Sequence, residues 1–175
     1  MDRNLKHNLE KIFKDSNSCD HIFDAFQLLI VYKIEELHLF KTLLANPTLK
    51  SDEIIMFTNK LAKEFPRLAY EIYFWAAAIL ENKPECIDNA FNYFVKAINV
   101  KPFEHEPYLK LLELYNYEYE TQTNFIIIEF IESTIEFVEK RSIVHFKLGK
   151  HYLKLGNKIL AEMHQKLGEK FQKDE

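Results

Sequence analysis

Seven histidines and two cysteines are the side chains of this chain best suited to bind a metal or act as nucleophiles. A zinc site on one helix needs two imidazoles on one face, as in HExxH or HxxxH, and no such pair occurs. His145 and His151 are six apart and read onto different helix faces. Glu104, His105 and Glu106 are adjacent, which splays them around a helix start as an acidic first turn. Cys86 falls near an expected helix N-terminus, a position that can activate a thiol, but no histidine partner is placed for it. Cys19 and Cys86 form no CxxC pattern and read as reduced thiols. GxxxxGK, GxGxxG and GxSxG are all missing, and Gly149 and Gly156 fall within and at the end of a helical pattern. No catalytic residue, bound metal or cofactor is expected, so the chain reads as non-enzymatic.

The distribution of charge offers a different chemistry, that of recognition. Formal net charge is −4, which speaks against a general nucleic-acid binder. From Lys101 to Glu139 there are nine Glu against two Lys, whereas from Lys140 to Glu175 nine Lys or Arg stand against four acids. Lys147, Lys150, Lys154 and Lys158 recur at steps of three and four as a basic stripe, and Lys166 and Lys170 add a second. One reading is a solvated face. The sharper one is an electrostatic strip for an acidic segment of a partner protein.

The elements that must carry these residues are helices. Only 3 Gly and 5 Pro in 175 residues leave little material for hairpins, and 47% hydrophobic with 29% charged residues suits a folded domain. Leu5, Leu9, Ile12 and Phe13 predict a short amphipathic helix ending near Asp15–Ser18. Asp20 can cap the next segment, where apolar residues from Ile22 to Leu44 predict one long helix over about 20–45. Ser51, followed by Asp52 and Glu53, marks another start. Pro66, Pro84 and Pro107 suit first turns, with Asn82 as a cap, so further helices are predicted at about 66–81, 84–100, 104–119, 123–140, 142–155 and 158–172. Gly156 fits the left-handed position after a helix.

Within this series, Ala90, Phe94 and Ala97 line one helix and Pro102 ends the unit, while Ala78 lies twelve residues before Ala90. Leu148, Gly149, Tyr152, Gly156 and Ala161 repeat the pattern, and Tyr108, Leu111, Leu112 and Tyr115 stand about 34 residues into the series, where a middle unit belongs. In that middle unit, Asn124 and Ile128 replace the expected alanine and aromatic. From Pro66 to Phe171 the chain resembles three tetratricopeptide-repeat (TPR) units. Small residues let the paired backbones approach, and an aromatic fills the groove beside them. Weaker resemblances are to half-a-TPR RNA-processing scaffolds, class II type III secretion chaperones and the TPR subunit of the ER membrane protein complex. The lysine–asparagine–arginine clamp of TPR domains that grip chaperone tails is incomplete, since Trp75 and Ile79 occupy its places in the first unit.

The expected architecture is therefore all-α, antiparallel helix pairs stacked as a TPR-like right-handed superhelix. Residues 1–65 form an N-terminal helical cap or a degenerate repeat, and 66–175 the repeat domain. The resemblance implies a protein–protein interaction scaffold or adaptor with first helices lining a groove. Trp75, Tyr108, Lys110, Tyr115, Lys147, Lys150, Lys154 and Lys158 are the expected partner contacts. The partner is a protein or peptide segment, acidic by charge, and the chain a subunit of a larger complex or a homodimer. The alternatives are an RNA-associated helical scaffold using the basic C-terminal helices and a small secretion chaperone. No apolar run reaches membrane-spanning length. The N-terminus has no apolar signal core, so the cytoplasm or the periphery of a membrane complex is the expected location.

Overall fold

Apolar residues at steps of three and four close into helices along the chain, and local caps decide where each one begins and ends. The computed structural model, which describes residues 3–119 and 121–175, is all-helical, with ten α-helices, three short 3-10 turns and no strand among the described residues. The chain divides into two compact units, the first ending at Cys86 and the second Ile87–Glu175. The helix that follows Pro66 thus belongs with the N-terminal helices, whereas the sequence reading grouped it with the repeats. The two helices expected to form the first repeat fall one in each unit.

The first unit holds α1 (Arg3–Asp15), α2 (Cys19–Val31), α3 (Leu37–Leu44), α4 (Ser51–Glu64) and α5 (Ala69–Leu80). Its core joins Leu9 and Phe13 of α1, Phe26 and Leu29 of α2, Phe40 and Leu43 of α3, Phe57 and Leu61 of α4, and Ile72 and Ala76 of α5. The expected long helix over 20–45 is two helices. Lys33 takes a left-handed φ of 49°, its N–H donates to Ile30 O at 3.1 Å, and Ile34 N–H donates to Leu29 O at 3.0 Å. This is the double closure that ends many helices, usually on glycine. A lysine is held there because Ile34, the next residue, is completely buried. The cap of α2 is Ser18, whose Oγ accepts from His21 N–H, and not Asp20. At α4 the cap position is Lys50, whose N–H donates to the Glu53 carboxylate at 2.7 Å, and Ser51 is already helical. Asn46 is buried between α1 and the α3–α4 turn, its amide donating to Phe13 O at 2.8 Å and Ser16 O at 3.1 Å.

The second unit holds α6 (Ile87–Val100), α7 (Glu106–Glu113), α8 (Gln122–Thr134), α9 (Arg141–Lys154) and α10 (Lys158–Phe171). Pro107 does sit in the first turn of α7, but α7 stops well short of residue 119. The chain instead loops, held by Asn124, whose amide donates to Asn116 O at 2.8 Å and Tyr119 O at 3.0 Å while its oxygen accepts from Asn116 N–H. The asparagine that broke the repeat pattern is thus a buried clasp. Helix α8, capped by Thr121, ends at Thr134 and passes through a 3-10 turn rather than continuing to 140. On α6, Ala90, Phe94 and Ala97 are all fully buried. Ala90→Leu is expected to cost about 1 to 3 kcal/mol through overpacking, measured by chemical denaturation. An unchanged midpoint would mean that this face of α6 is not packed.

Candidate functional site

Helices α7 and α9 pack together in the second unit, and their exposed rims bring opposite charges into one place. Glu113, in the last turn of α7, accepts from Lys147 Nζ of α9 at 3.0 Å and pairs with Lys110 Nζ of its own helix at 3.1 Å. Burial pushes the Glu113 carboxyl up, but the two ammonium groups outweigh it and hold the group below its ordinary range. Two cations thus flank one carboxylate.

An aromatic patch adjoins this trio. Tyr115 and Tyr117, in the loop after α7, have ring centroids 4.9 Å apart. Tyr115 meets the His151 ring edge-on at 4.4 Å, and the Tyr117 hydroxyl lies 2.8 Å from His151 Nδ1. The Lys154 ammonium lies 4.8 Å from the Tyr117 ring centre, within cation–π range. Lys110, Tyr115, Lys147 and Lys154 are therefore drawn together by α7, its following loop and α9. Lys150 is exposed on the same helix. Lys158 opens α10 and is exposed as well.

Two expected contacts are placed elsewhere. Tyr108 is completely buried in the core of the second unit, where its hydroxyl donates to Pro102 O at 3.0 Å. Its apolar ring and single polar tip suit this interior position, so it offers no surface to a partner. Trp75 belongs to the first unit and is half-buried. Its indole N–H donates to Lys41 O at 3.2 Å, and the Lys41 ammonium lies 5.0 Å from the ring centre. The lysine stripe is not wholly solvated, since Lys147 is engaged by Glu113.

The structure adds a histidine cluster that the spacing of residues did not suggest. His145 of α9 and His164 of α10 face each other with Nδ1 to Nδ1 at 3.0 Å, which requires one ring to donate and the other to accept. On the far side of His164, Glu132 Oε1 lies 3.7 Å from Nε2 and accepts the Tyr152 hydroxyl at 2.5 Å. His151 Nε2 and His164 Nε2 are buried with no hydrogen-bond partner. Burial, then the neighbouring His164 and Arg141, pushes His145 down to about 4. His151 and His164 are also lowered, chiefly by burial, and burial together with Glu132 raises Tyr152. Protonating the accepting ring of the pair would set N–H against N–H, so chemically the cluster is a proton-sensitive joint between α9 and α10. The signal was hidden because the two rings are nineteen residues apart, on different helices.

Among the described residues, no group of three or more His, Cys, Asp or Glu is placed to hold a metal ion. Nor is any described helix long and apolar enough to cross a membrane. Compared with known proteins, the chain matches no family model and no curated protein.

Proposed function

We propose that the protein is a non-enzymatic docking scaffold, a TPR-like arrangement of helix pairs whose α7–α9 face receives an acidic segment of a partner protein. The observation that carries this reading is the joining of Lys110, Lys147 and Lys154 with the Tyr115–Tyr117 rings on one rim. A row of lysines attracts a carboxylate, and flat aromatic rings give it a rigid, partly apolar bed. The α9–α10 pair supports the repeat reading, because Gly149 stands against the backbone at Ala161, two of the small residues on which the resemblance rests.

Replacing Lys147, Lys150 and Lys154 together with glutamate is expected to leave helix content unchanged and weaken the main partner complex at least about tenfold. Pull-down from native lysate with wild-type and triple-variant protein, followed by a binding titration on the enriched partner, measures this. Equal affinity at low salt would remove the docking face. Tyrosines beside lysines also suit stacked bases, and this favours RNA as the second reading. Binding to single-stranded RNA that falls steeply with salt would select it over the protein partner.

A further inference from the structure

The turn between α9 and α10 carries a surface that goes beyond the α7–α9 face. Every residue from Leu153 to Ile159 is exposed. Ile159 is 82% exposed, Leu153 60% and Leu155 44%. Gly156, at the centre of the turn with φ 75°, has nothing within 4 Å of where a side chain would begin. These three aliphatic side chains therefore crown an exposed tip. Single exposed apolar residues are ordinary on soluble proteins. Three on one exposed turn are not.

The charges along the chain on either side of the tip are of one sign. From Lys140 to Ala161 the chain carries cations at 140, 141, 147, 150, 154 and 158 and no carboxylate. Lys150, Lys154 and Lys158 are exposed and flank the three aliphatics in sequence and on the two helix ends. The nearest acid along α10 is Glu162, one turn further from the tip.

We propose that this tip is a membrane-docking wedge, in which Leu153, Leu155 and Ile159 enter the interfacial layer of an anionic bilayer while Lys150, Lys154 and Lys158 meet its headgroups. Side chains this exposed, about an open turn, suit a partner that closes around them. A bilayer needs no groove. It accepts an exposed apolar point, and its anionic surface attracts neighbouring lysines over about a Debye length. Three aliphatics and three lysines make a weak, reversible anchor, stronger when both contributions act together.

Co-sedimentation of the full chain with vesicles tests this. Phosphatidylcholine vesicles containing about one-third phosphatidylserine should bind the protein at about 0.1 M salt, and release most of it at about 0.5 M. Leu153→Ser/Ile159→Ser, at exposed positions where folding is not at stake, should lower binding at least about fivefold with unchanged helix content. Lys110→Ala, on the α7 face, should leave vesicle binding unchanged, so the wedge and the protein-docking face can fail separately. Equal binding to pure phosphatidylcholine, or a serine variant that binds as well as wild type, would overturn the wedge. Wild-type protein that ignores both vesicles would overturn it too, and a serine variant that then loses a protein partner would assign the tip to that partner.

Discussion

Lowering the pH from 7 to 5 should destabilise the protein by at least about 2 kcal/mol, with the loss centred on α9 and α10. His145 has its pKa lowered to about 4, against about 6.5 for a histidine in the unfolded chain. The unfolded state therefore binds more protons throughout that interval, and stability must fall as the pH drops through it. The contribution is fully present above about 6.5 and fully lost near 4. By pH 5 this one residue accounts for about 2 kcal/mol, and His151 and His164, also lowered, add to it. The charged groups around the pair pull both ways. Arg141 and Lys154 of α9 oppose a new positive charge, whereas Glu132 of α8 and Glu175 beyond α10 favour one. Burial is the largest cause in all three, so neutrality wins. Glu64, held down to about 2 by Lys33 and Lys60, keeps its charge across this window and does not confuse it. Urea unfolding at pH 7 and pH 5, with amide exchange to localise the change, measures the effect. His145→Gln/His164→Gln should flatten the dependence, and a double variant with the wild-type slope would clear the pair of responsibility.

That joint marks one limit of what a sequence makes legible. Spacing along a chain identifies residues that share a helix face, so it could sort Lys147, Lys150 and Lys154 onto one strip and set His145 and His151 apart. It does not report which residue on the next helix lies opposite. The pairing of His145 with His164 depends on how α9 and α10 are staggered, and Glu132 reaches the pair from a third helix. The same holds for Glu113, which takes up Lys147 from another helix. Charge counted along the sequence therefore overstated how free the stripe is.

Helix existence was more legible than helix ends. Pro107 and Gly156 mark a start and a stop through backbone restrictions that act locally, and both fall where those restrictions predict. The break at Lys33 has no such residue to announce it. Ile30, Ile34 and Leu37 continue a helical rhythm, yet burying Ile34 is worth more than keeping the helix straight, and lysine accepts the left-handed turn. Asn124 shows the converse. Its polarity looked like decay of a repeat, but the side chain supplies the hydrogen bonds that the α7–α8 loop lacks.

Gly149→Leu should cost about 3 kcal/mol or more, the largest effect of any single substitution on the α9–α10 pair. A side chain begun at Gly149 would stand 3.2 Å from the Ala161 carbonyl oxygen and 3.5 Å from the Gln165 nitrogen. Both are backbone atoms of α10, so no rotamer change can clear them and the helices themselves must part. Parting them would also stretch the 3.0 Å contact between His145 and His164. Alanine asks for a smaller adjustment, a few tenths of an ångström. It also returns about 1 kcal/mol, because glycine is a poor residue for a helix interior. Gly149→Ala should therefore be close to neutral. Two other glycines provide the contrast. At Gly168 the added atom would meet the Phe146 ring at 2.6 Å, a side chain that can move. At Gly156 space is open, and only the left-handed backbone, worth about 1 to 2 kcal/mol, opposes a substitution. Urea denaturation of Gly149→Ala, Gly149→Leu and Gly156→Ala separates these causes. If leucine at 149 is tolerated as well as alanine, the helices are not in backbone contact there, and the strongest support for a repeat-like pair is lost.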